Sequence, residues 1–327
     1  MRMNKKKKTI LVTGAAGFVG WKTCEFLLND GIRVIGIDNL NNYYDIRLKK
    51  WRISQLKNFK NFKFYKHDIE NVNAVKDVVK VSRPKAVINL AARAGVRYSV
   101  ENPFVYARTN TIGTLNLLEL CRHYGINKFI LASTSSLYAG QRMPFKEALA
   151  VNTPISPYAA TKKGAEALCY TYHYLFDMDI CVVRYFTVYG PAGRPDMSPF
   201  KFIEKIRRGL PIEIYGDGLQ KRDFTYIDDI ARATIKALTV NGYNIFNLGN
   251  SKPHTLAKLI SLIEHQLGKK AVKKYLKPHK TDMRATWADI SRANKILGWV
   301  PQTCVVEGIK ETVKWHCDNS FVNSIAV

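Results

Sequence analysis

None of the six cysteines stands in a C-x-x-C pair: Cys24, Cys121, Cys169, Cys181, Cys304 and Cys317 fall singly in segments patterned as helix or strand. That spacing points away from a disulfide framework, so reduced thiols in a cytoplasm are expected, with no metal site. Long apolar runs are missing too. The basic start, residues 1–8, leads into Ile10-Leu11-Val12, which is too short for a signal core and runs at once into a glycine turn. Neither export nor membrane insertion is expected. Acidic residues are scarce, 26 against 51 Lys and Arg, for a formal net charge of +25. Such a charge invites a nucleic-acid partner. The lysines are spread along the whole chain, however, apart from the run 5–8, and no nucleic-acid-binding signature accompanies them. A solvated basic surface is the reading, one whose field favours a substrate with several negative charges. Internal repeats and a clear linker are also lacking.

What is present suits packed cores: 327 residues, 46% hydrophobic and 11% aromatic. Apolar β-branched runs at 9–13, 33–37, 62–65, 86–90, 128–132 and 180–184 alternate with helical patterns at 17–28, 72–79, 109–124 and 157–176. Strands buried on both faces and separated by helices predict an α/β fold with a doubly wound, Rossmann-type parallel sheet. Residues 39–60 read as an extended aromatic and basic insertion. After about residue 187 the alternation gives way to loops such as Gly190-Pro191-Ala192-Gly193 and Gly216-Asp217-Gly218, with helical patterns at 198–208, 228–238, 255–267 and 304–317. A dinucleotide-binding domain over 1–186 and a smaller substrate-binding lobe over 187–327 are expected, with a soft and interleaved boundary.

The segment from Ile10 to Gly20 is strand, then glycines at 14, 17 and 20, then helix. The glycines allow a tight turn and close approach to a pyrophosphate, and the helix start supplies amide donors, with Phe18 and Val19 beside them. Asp38 follows the second strand, about 20 residues on. An acid there accepts bonds from ribose hydroxyls and repels a 2′-phosphate, which predicts NAD and not NADP. Asp68-Ile69 after the third strand is placed to meet adenine, with a helix-capping acid as the alternative for Asp68. Leu90-Ala91-Ala92 ends the fourth strand beside the dinucleotide.

Downstream, Tyr158-Ala159-Ala160-Thr161-Lys162 follows the cluster Ser133-Thr134-Ser135-Ser136. On a helix, residues four apart share a face, so the Tyr158 hydroxyl and the Lys162 ammonium can address the same reactants. A phenol of ordinary pKa about 10 is a poor base at neutral pH, and a fixed cation beside it favours the phenolate. Thr134, Tyr158 and Lys162 are the expected catalytic residues. The blander alternatives are strand-end capping for Thr134, Ser135 and Ser136, and a surface helix face for Tyr158 and Lys162.

These motifs, in this order, resemble the extended short-chain dehydrogenase/reductases, and within them the NAD-dependent nucleotide-sugar epimerases and dehydratases, over residues 9–315. The resemblance implies that Thr134 bonds the sugar 4-hydroxyl, that Tyr158 is the base, and that Lys162 holds the nicotinamide ribose and lowers the tyrosine pKa. The dehydratases carry an Asp-Glu pair directly after the threonine. Here Ser135-Ser136 stand there, and the related decarboxylases have Glu where Ser136 is. Epimerisation, which needs one acid/base and a reversible hydride transfer, fits the residues present.

The run Arg184-Tyr185-Phe186-Thr187-Val188-Tyr189-Gly190-Pro191-Ala192-Gly193-Arg194-Pro195-Asp196 resembles the UDP-glucuronate 4-epimerase group, as do residues 38–45 and 94–99. By that resemblance Thr187, Arg194, Ser135 and Ser136 surround a uronate carboxylate, for which a planar guanidinium fork is suited. Arg97 belongs to the same substrate set. Arg222 is implied at the diphosphate and Asp282 at the uridine ribose, with an ion pair from Arg222 to Asp223 or Asp228 as the structural alternative. The chain departs from the group at Arg93, at Ala139-Gly140, in a shorter loop before Tyr158, and at Thr281. The resemblance implies a cytoplasmic homodimer pairing helices 109–124 and 157–176, acting on a UDP-sugar. Epimerisation of UDP-glucose or a UDP-N-acetylhexosamine is the alternative activity.

Overall fold

A computed structural model describes residues 8–278 and 282–325; Thr281 and most of the basic run 5–8 lie outside them. Five-residue β1 (Thr9–Thr13) is buried along its whole length and enters the glycine turn directly, and α1 (Phe18–Asn29) starts on Gly17. Next come β2 (Arg33–Ile37), α2 (Ile46–Lys57), β3 (Phe62–Tyr65), α3 (Val72–Ser82), β4 (Ala86–Asn89), and the short α4 (Val96–Glu101) and α5 (Pro103–Tyr106). After them lie α6 (Gly113–His123), β5 (Lys128–Thr134), α7 (Pro157–Phe176) and β6 (Asp179–Tyr185). The rest comprises β7 (Thr187–Tyr189), α8 (Ser198–Arg207), β8 (Ile212–Tyr215), β9 (Lys221–Arg222), β10 (Phe224–Tyr226), α9 (Ile227–Lys236), β11 (Tyr243–Leu248), β12 (His254–Thr255), α10 (Leu256–Leu267), β13 (Lys273–Leu276), α11 (Ser291–Leu297) and α12 (Val305–Asp318).

Seven parallel strands form one sheet in the order β11-β6-β5-β4-β1-β2-β3. The expected α/β Rossmann-type architecture is present. Two apolar layers cover the sheet, one including Val12, Ile88, Val183 and Leu248 with α1 and α9, the other Leu11, Val87, Leu131 and Val182 with α3, α6 and α7. A third cluster joins α8, α10 and α12 through Ile203, Leu259 and Ile309. The order reverses between β1 and β4, so the crevice for a ligand opens at their carboxyl ends. Thr13 Oγ1 donates to Asn89 Oδ1 at 2.7 Å and Asn89 Nδ2 to Thr114 Oγ1 at 3.1 Å, which fixes the two strand ends against α6.

Three elements depart from the sequence reading. Residues 39–60 hold a helix, α2, whose Leu48, Ile53 and Leu56 are buried; a high count of Lys and Arg masked its apolar stripe. The pattern at 109–124 is not one helix, since residues 107–112 wind as a π-turn before α6 begins. There the Asn110 side chain takes the Arg93 N–H at 2.9 Å and donates to the Arg93 carbonyl and Thr161 Oγ1. Such side-chain bonding accompanies a widened turn at functional sites. Finally, β11 lies far along the chain yet pairs with β6 from Tyr243↔Ile180 to Leu248↔Tyr185.

Candidate active site

The glycine turn is built for contact. Gly14 has φ +68°, and a Cβ there would stand 2.7 Å from the Leu90 carbonyl oxygen and the Ala91 nitrogen. A Cβ on Gly20 would be 2.0 Å from the Gly14 carbonyl oxygen, so helix α1 sits flush on the turn. Asp38, nearly buried, accepts from Ala16 N at 3.1 Å and Leu40 N at 2.8 Å through different oxygens. Those bonds fix the carboxylate while each oxygen keeps a lone pair for a further donor. Asp68 accepts from Asn39 Nδ2 at 2.6 Å and Glu70 N at 3.0 Å. The cap of α3 is Asn71, which disposes of the helix-capping alternative for Asp68.

Ser156 accepts from Ala159 N at 3.2 Å and Pro157 opens α7, so the helix start is pinned and Tyr158 sits in its first turn. Thr134 ends β5; its Oγ1 accepts from Ser136 N at 3.1 Å and lies 3.1 Å from Ser136 Oγ. Thr134 and Ser136 therefore cap the strand end and also face the cleft. Burial raises the Tyr158 phenol, opposed by its hydrogen bond with Thr134 and by the charge of Arg194. This differs from the expected lowering by Lys162, because the opposition comes from other groups. Lys162 is 3% exposed and is itself brought down to about 8 by burial, against the pull of Glu166 one turn on. It forms no hydrogen bond or ion pair among the described residues.

Behind these groups lies a buried ion pair. Arg184 Nε and Nη2 meet the two oxygens of Glu166 at 2.9 and 2.7 Å, and Ser133 Oγ donates to the same carboxylate at 2.6 Å. Arg184 Nη1 reaches Tyr138 Oη at 2.7 Å, which donates to Asn247 at 2.8 Å. This bonding ties α7 to β5, β6 and β11 under the cleft.

The cleft encloses about 350 Å³. Gly14, Gly17, Phe18, Val19, Asp38, Asp68, Ile69, Leu90, Ala91 and Ala92 line one end, and Thr134, Ser135, Ser136, Tyr158, Lys162, Thr187 and Arg194 line the other. Arg97, Arg222 and Asp282 do not line it. They gather beside it, with Arg97 Nη2 2.5 Å from Asp282 Oδ2 and its guanidinium 3.8 Å above the Tyr215 ring. Arg222 joins them: burial lowers its pKa, Asp282 raises it and Arg97 lowers it further. The structural alternative for Arg222 is not what forms, since Asp223 accepts instead from the amides of Asn250, Ser251 and Ala288 at 2.6, 3.0 and 2.9 Å. Asp228 faces Lys22 at 3.8 Å.

Arg194 carries a partner the sequence reading did not foresee. Its Nε and Nη2 clasp both oxygens of Asp196 at 3.0 and 2.5 Å, and Tyr43 Oη lies 3.4 Å from the same carboxylate. Burial lowers the Arg194 pKa, but Asp196 more than reverses that and the net shift is upward. Asp196 is correspondingly lowered, its burial outweighed by Arg194. Also unforeseen are Lys49, 4% exposed and lining the cleft near Asp38, and Arg52, wholly buried. Both sit on the inner face of α2. Their signal was three residues of spacing within an apolar stripe, hidden once 39–60 was read as extended.

Fold and site together define a Rossmann-type oxidoreductase scaffold with a short-chain-dehydrogenase tyrosine and lysine. The chain belongs to the GDP-mannose 4,6 dehydratase family, which it matches over residues 11–312. It is 58% identical over 319 residues to UDP-glucuronate 4-epimerase of Thermodesulfobacterium geofontis, covering 97% of this chain and 99% of the relative. The crystal structure of UDP-glucuronic acid 4-epimerase from Bacillus cereus, in complex with UDP-glucuronic acid and NAD, superposes with TM-score 0.90 at 38% identity, covering 95% and 99% of the two chains. A UDP-glucose 4-epimerase of Thermotoga maritima, solved with UDP-glucose, gives TM-score 0.86 at 33% identity over 95% and 99%.

Proposed function

We propose that this protein is a UDP-glucuronate 4-epimerase, interconverting UDP-glucuronate and UDP-galacturonate through a 4-keto sugar with NAD held in the site. The observation that carries this reading is the meeting of Tyr158, Thr134 and Lys162 with Thr187 and Arg194 in one cleft, Ser135-Ser136 standing where a dehydratase has its acid pair. The dinucleotide fits this cleft. Gly14, at φ +68°, lets the turn close onto the Leu90 and Ala91 backbone at the cleft wall, and Lys162 is a buried cation with no acceptor among the described residues. The glycine turn, Asp38, Asp68, Ile69 and residues 90–92 would hold it. When bound, NAD supplies the reversible hydride acceptor for sugar C4.

The remaining chemistry belongs to the chain. Thr134 orients the 4-hydroxyl, and Tyr158 takes its proton and later returns it from the same oxygen. The Thr134 hydrogen bond and the Arg194 charge oppose the upward push that burial gives the Tyr158 phenol, and Lys162 would hold the nicotinamide ribose. A 4-keto uronate is a β-keto acid that loses carbon dioxide readily, so the carboxylate must be held still. Arg194, Thr187, Ser135 and Ser136 take that role, while Arg222, Arg97 and Asp282 take the nucleotide end as charge-assisted partners. Residues 1–186 serve chiefly the cofactor and 187–327 chiefly the sugar nucleotide, with β11 returned to the first part.

The protein works as a cytoplasmic homodimer without nucleic-acid partners. No described helix is long and apolar enough to cross a membrane. Leu117, Leu118 and Leu120 of α6 are spent inside the subunit, and the apolar surface left for a second copy includes Ile112, Tyr170 and Tyr174, which are 48, 53 and 74% exposed. Light scattering on micromolar protein checks this, a monomer being the contrary result. The activity is tested by incubating pure protein with UDP-glucuronate or UDP-glucose and following the anomeric proton signals. Turnover of UDP-glucose alone would select the hexose reading, and NADP recovered from denatured protein would overturn the cofactor assignment.

A further inference from the structure

The chemistry above makes no use of α2, yet that helix seals a charge inside the protein. Arg52 is 0% exposed and forms no ion pair among the described residues. A guanidinium taken from water without a counter-ion is costly unless its donors are satisfied. Five hydrogen bonds do so, and besides Tyr44, just before the helix, their acceptors come from two separate loops. Nη1 donates to the Ala16 carbonyl at 3.0 Å and to Tyr44 Oη at 2.6 Å. Nε and Nη2 both donate to the Ala192 carbonyl, at 3.2 and 2.7 Å, and Nη2 also to Gly193 O at 3.0 Å.

Each end of this bridge belongs to a binding site. Ala16 lies in the glycine turn, and its N–H is held by Asp38 Oδ2 at 3.1 Å. Phe18, which opens α1, has its ring 5.9 Å from the guanidinium carbon. At the other end, Ala192 is held at φ +53° although it is not glycine. A strained backbone of that kind persists where its surroundings over-determine it, and here two N–H groups of Arg52 grip its carbonyl. Two residues on stands Arg194. A continuous path therefore runs from Asp38 through Ala16 and Arg52 to the loop that presents Arg194.

We propose that Arg52 is a positioning residue that couples the two loops, so that presentation of Arg194 to the substrate depends on the dinucleotide-filled form of the glycine turn. The proposal rests on reading Arg194 as the carboxylate partner. A planar fork with fixed donor directions cannot satisfy both loops if one shifts, whereas a lysine offers a single point charge on a flexible stem. By linkage the coupling runs both ways: a bound uronate tightens NAD as NAD tightens the uronate.

The test compares wild type, Arg52→Lys and Arg194→Ala by NAD retained through gel filtration and by calorimetric titration with UDP-glucuronate and UDP-glucose. In Arg52→Lys, NAD retention falls, and UDP-glucuronate affinity drops on the order of tenfold while UDP-glucose affinity stays close to wild type. Saturating NAD raises UDP-glucuronate affinity in nucleotide-stripped wild type and much less in Arg52→Lys, and the retained UDP-glucose affinity shows that the variant is folded. Loss of NAD or of UDP-glucuronate affinity alone overturns the coupling, as do equal losses on both sugars in this variant. Equal losses in Arg194→Ala instead sink the carboxylate reading; joint loss of NAD and UDP-sugar affinity in Arg52→Lys then still upholds coupling, and loss of one alone still overturns it. If Arg52→Lys does not fold, Tyr44→Phe, which removes one acceptor, is read by the same measurements.

Discussion

At the scale of single residues, Tyr158 carries the greatest demand, because burial pushes its pKa up while the chemistry needs it to accept a proton. Tyr158→Phe removes the acceptor and keeps the ring, so turnover falls by at least about a hundredfold with UDP affinity unchanged. Full activity in that variant would dismiss Tyr158 as the base. Lys162 gives a pH signature. Its pKa falls from 10.5 in the unfolded chain to about 8 in the protein. Between those values the unfolded chain holds more protons, so this group raises stability as pH rises, and below about 8 its contribution is constant. The melting temperature of nucleotide-stripped wild type therefore gains more between pH 8 and 10 than that of Lys162→Met; parallel curves would contradict the shift.

At the scale of elements, the site stands on how α7 is anchored. Glu166, one turn beyond Lys162, shares a buried ion pair with Arg184 across to β6. Glu166→Ala leaves that guanidinium without its carboxylate and costs roughly 3–5 kcal/mol in urea unfolding; Glu166→Gln costs less, and a loss under about 1 kcal/mol for the alanine would contradict a structural pair. The glycine turn gives a second test. Gly14→Ala adds a Cβ within 2.7 Å of the Leu90 and Ala91 backbone at positive φ, so the variant melts lower and elutes without nucleotide. Much of this was legible in advance: the strands had β-branched runs, and α7 runs over the expected residues 157–176. What escaped depended on partners distant in sequence. Asp196 could not be assigned to Arg194 without the fold of the 190–197 loop, and Arg52 looked like any basic residue until its acceptors, among them the Ala192 and Gly193 carbonyls 140 and 141 residues away, were in place. The π-turn escaped because Asn110 bonds Arg93 and Thr161, neither of which is near it in the helical pattern.

At the scale of the whole molecule, the net charge of +25 acts as a field. A UDP-uronate carries several negative charges, so its capture should slow and its KM rise as added salt screens the surface. A KM that ignores ionic strength would confine the electrostatics to Arg194, Arg97 and Arg222. The same scale shows a constraint on how the chain is made. The sheet takes its last strand, β11, only after the chain has passed through β7 to β10, α8 and α9. Until residue 248 has emerged from the ribosome, β6 is an edge strand with five consecutive buried-type residues, open to pairing with another nascent chain. The nucleotide-binding half thus cannot mature as an independent first domain during synthesis. A nascent chain stalled at residue 190 should engage a chaperone and fail to bind NAD, and one stalled well past 248 should let it go.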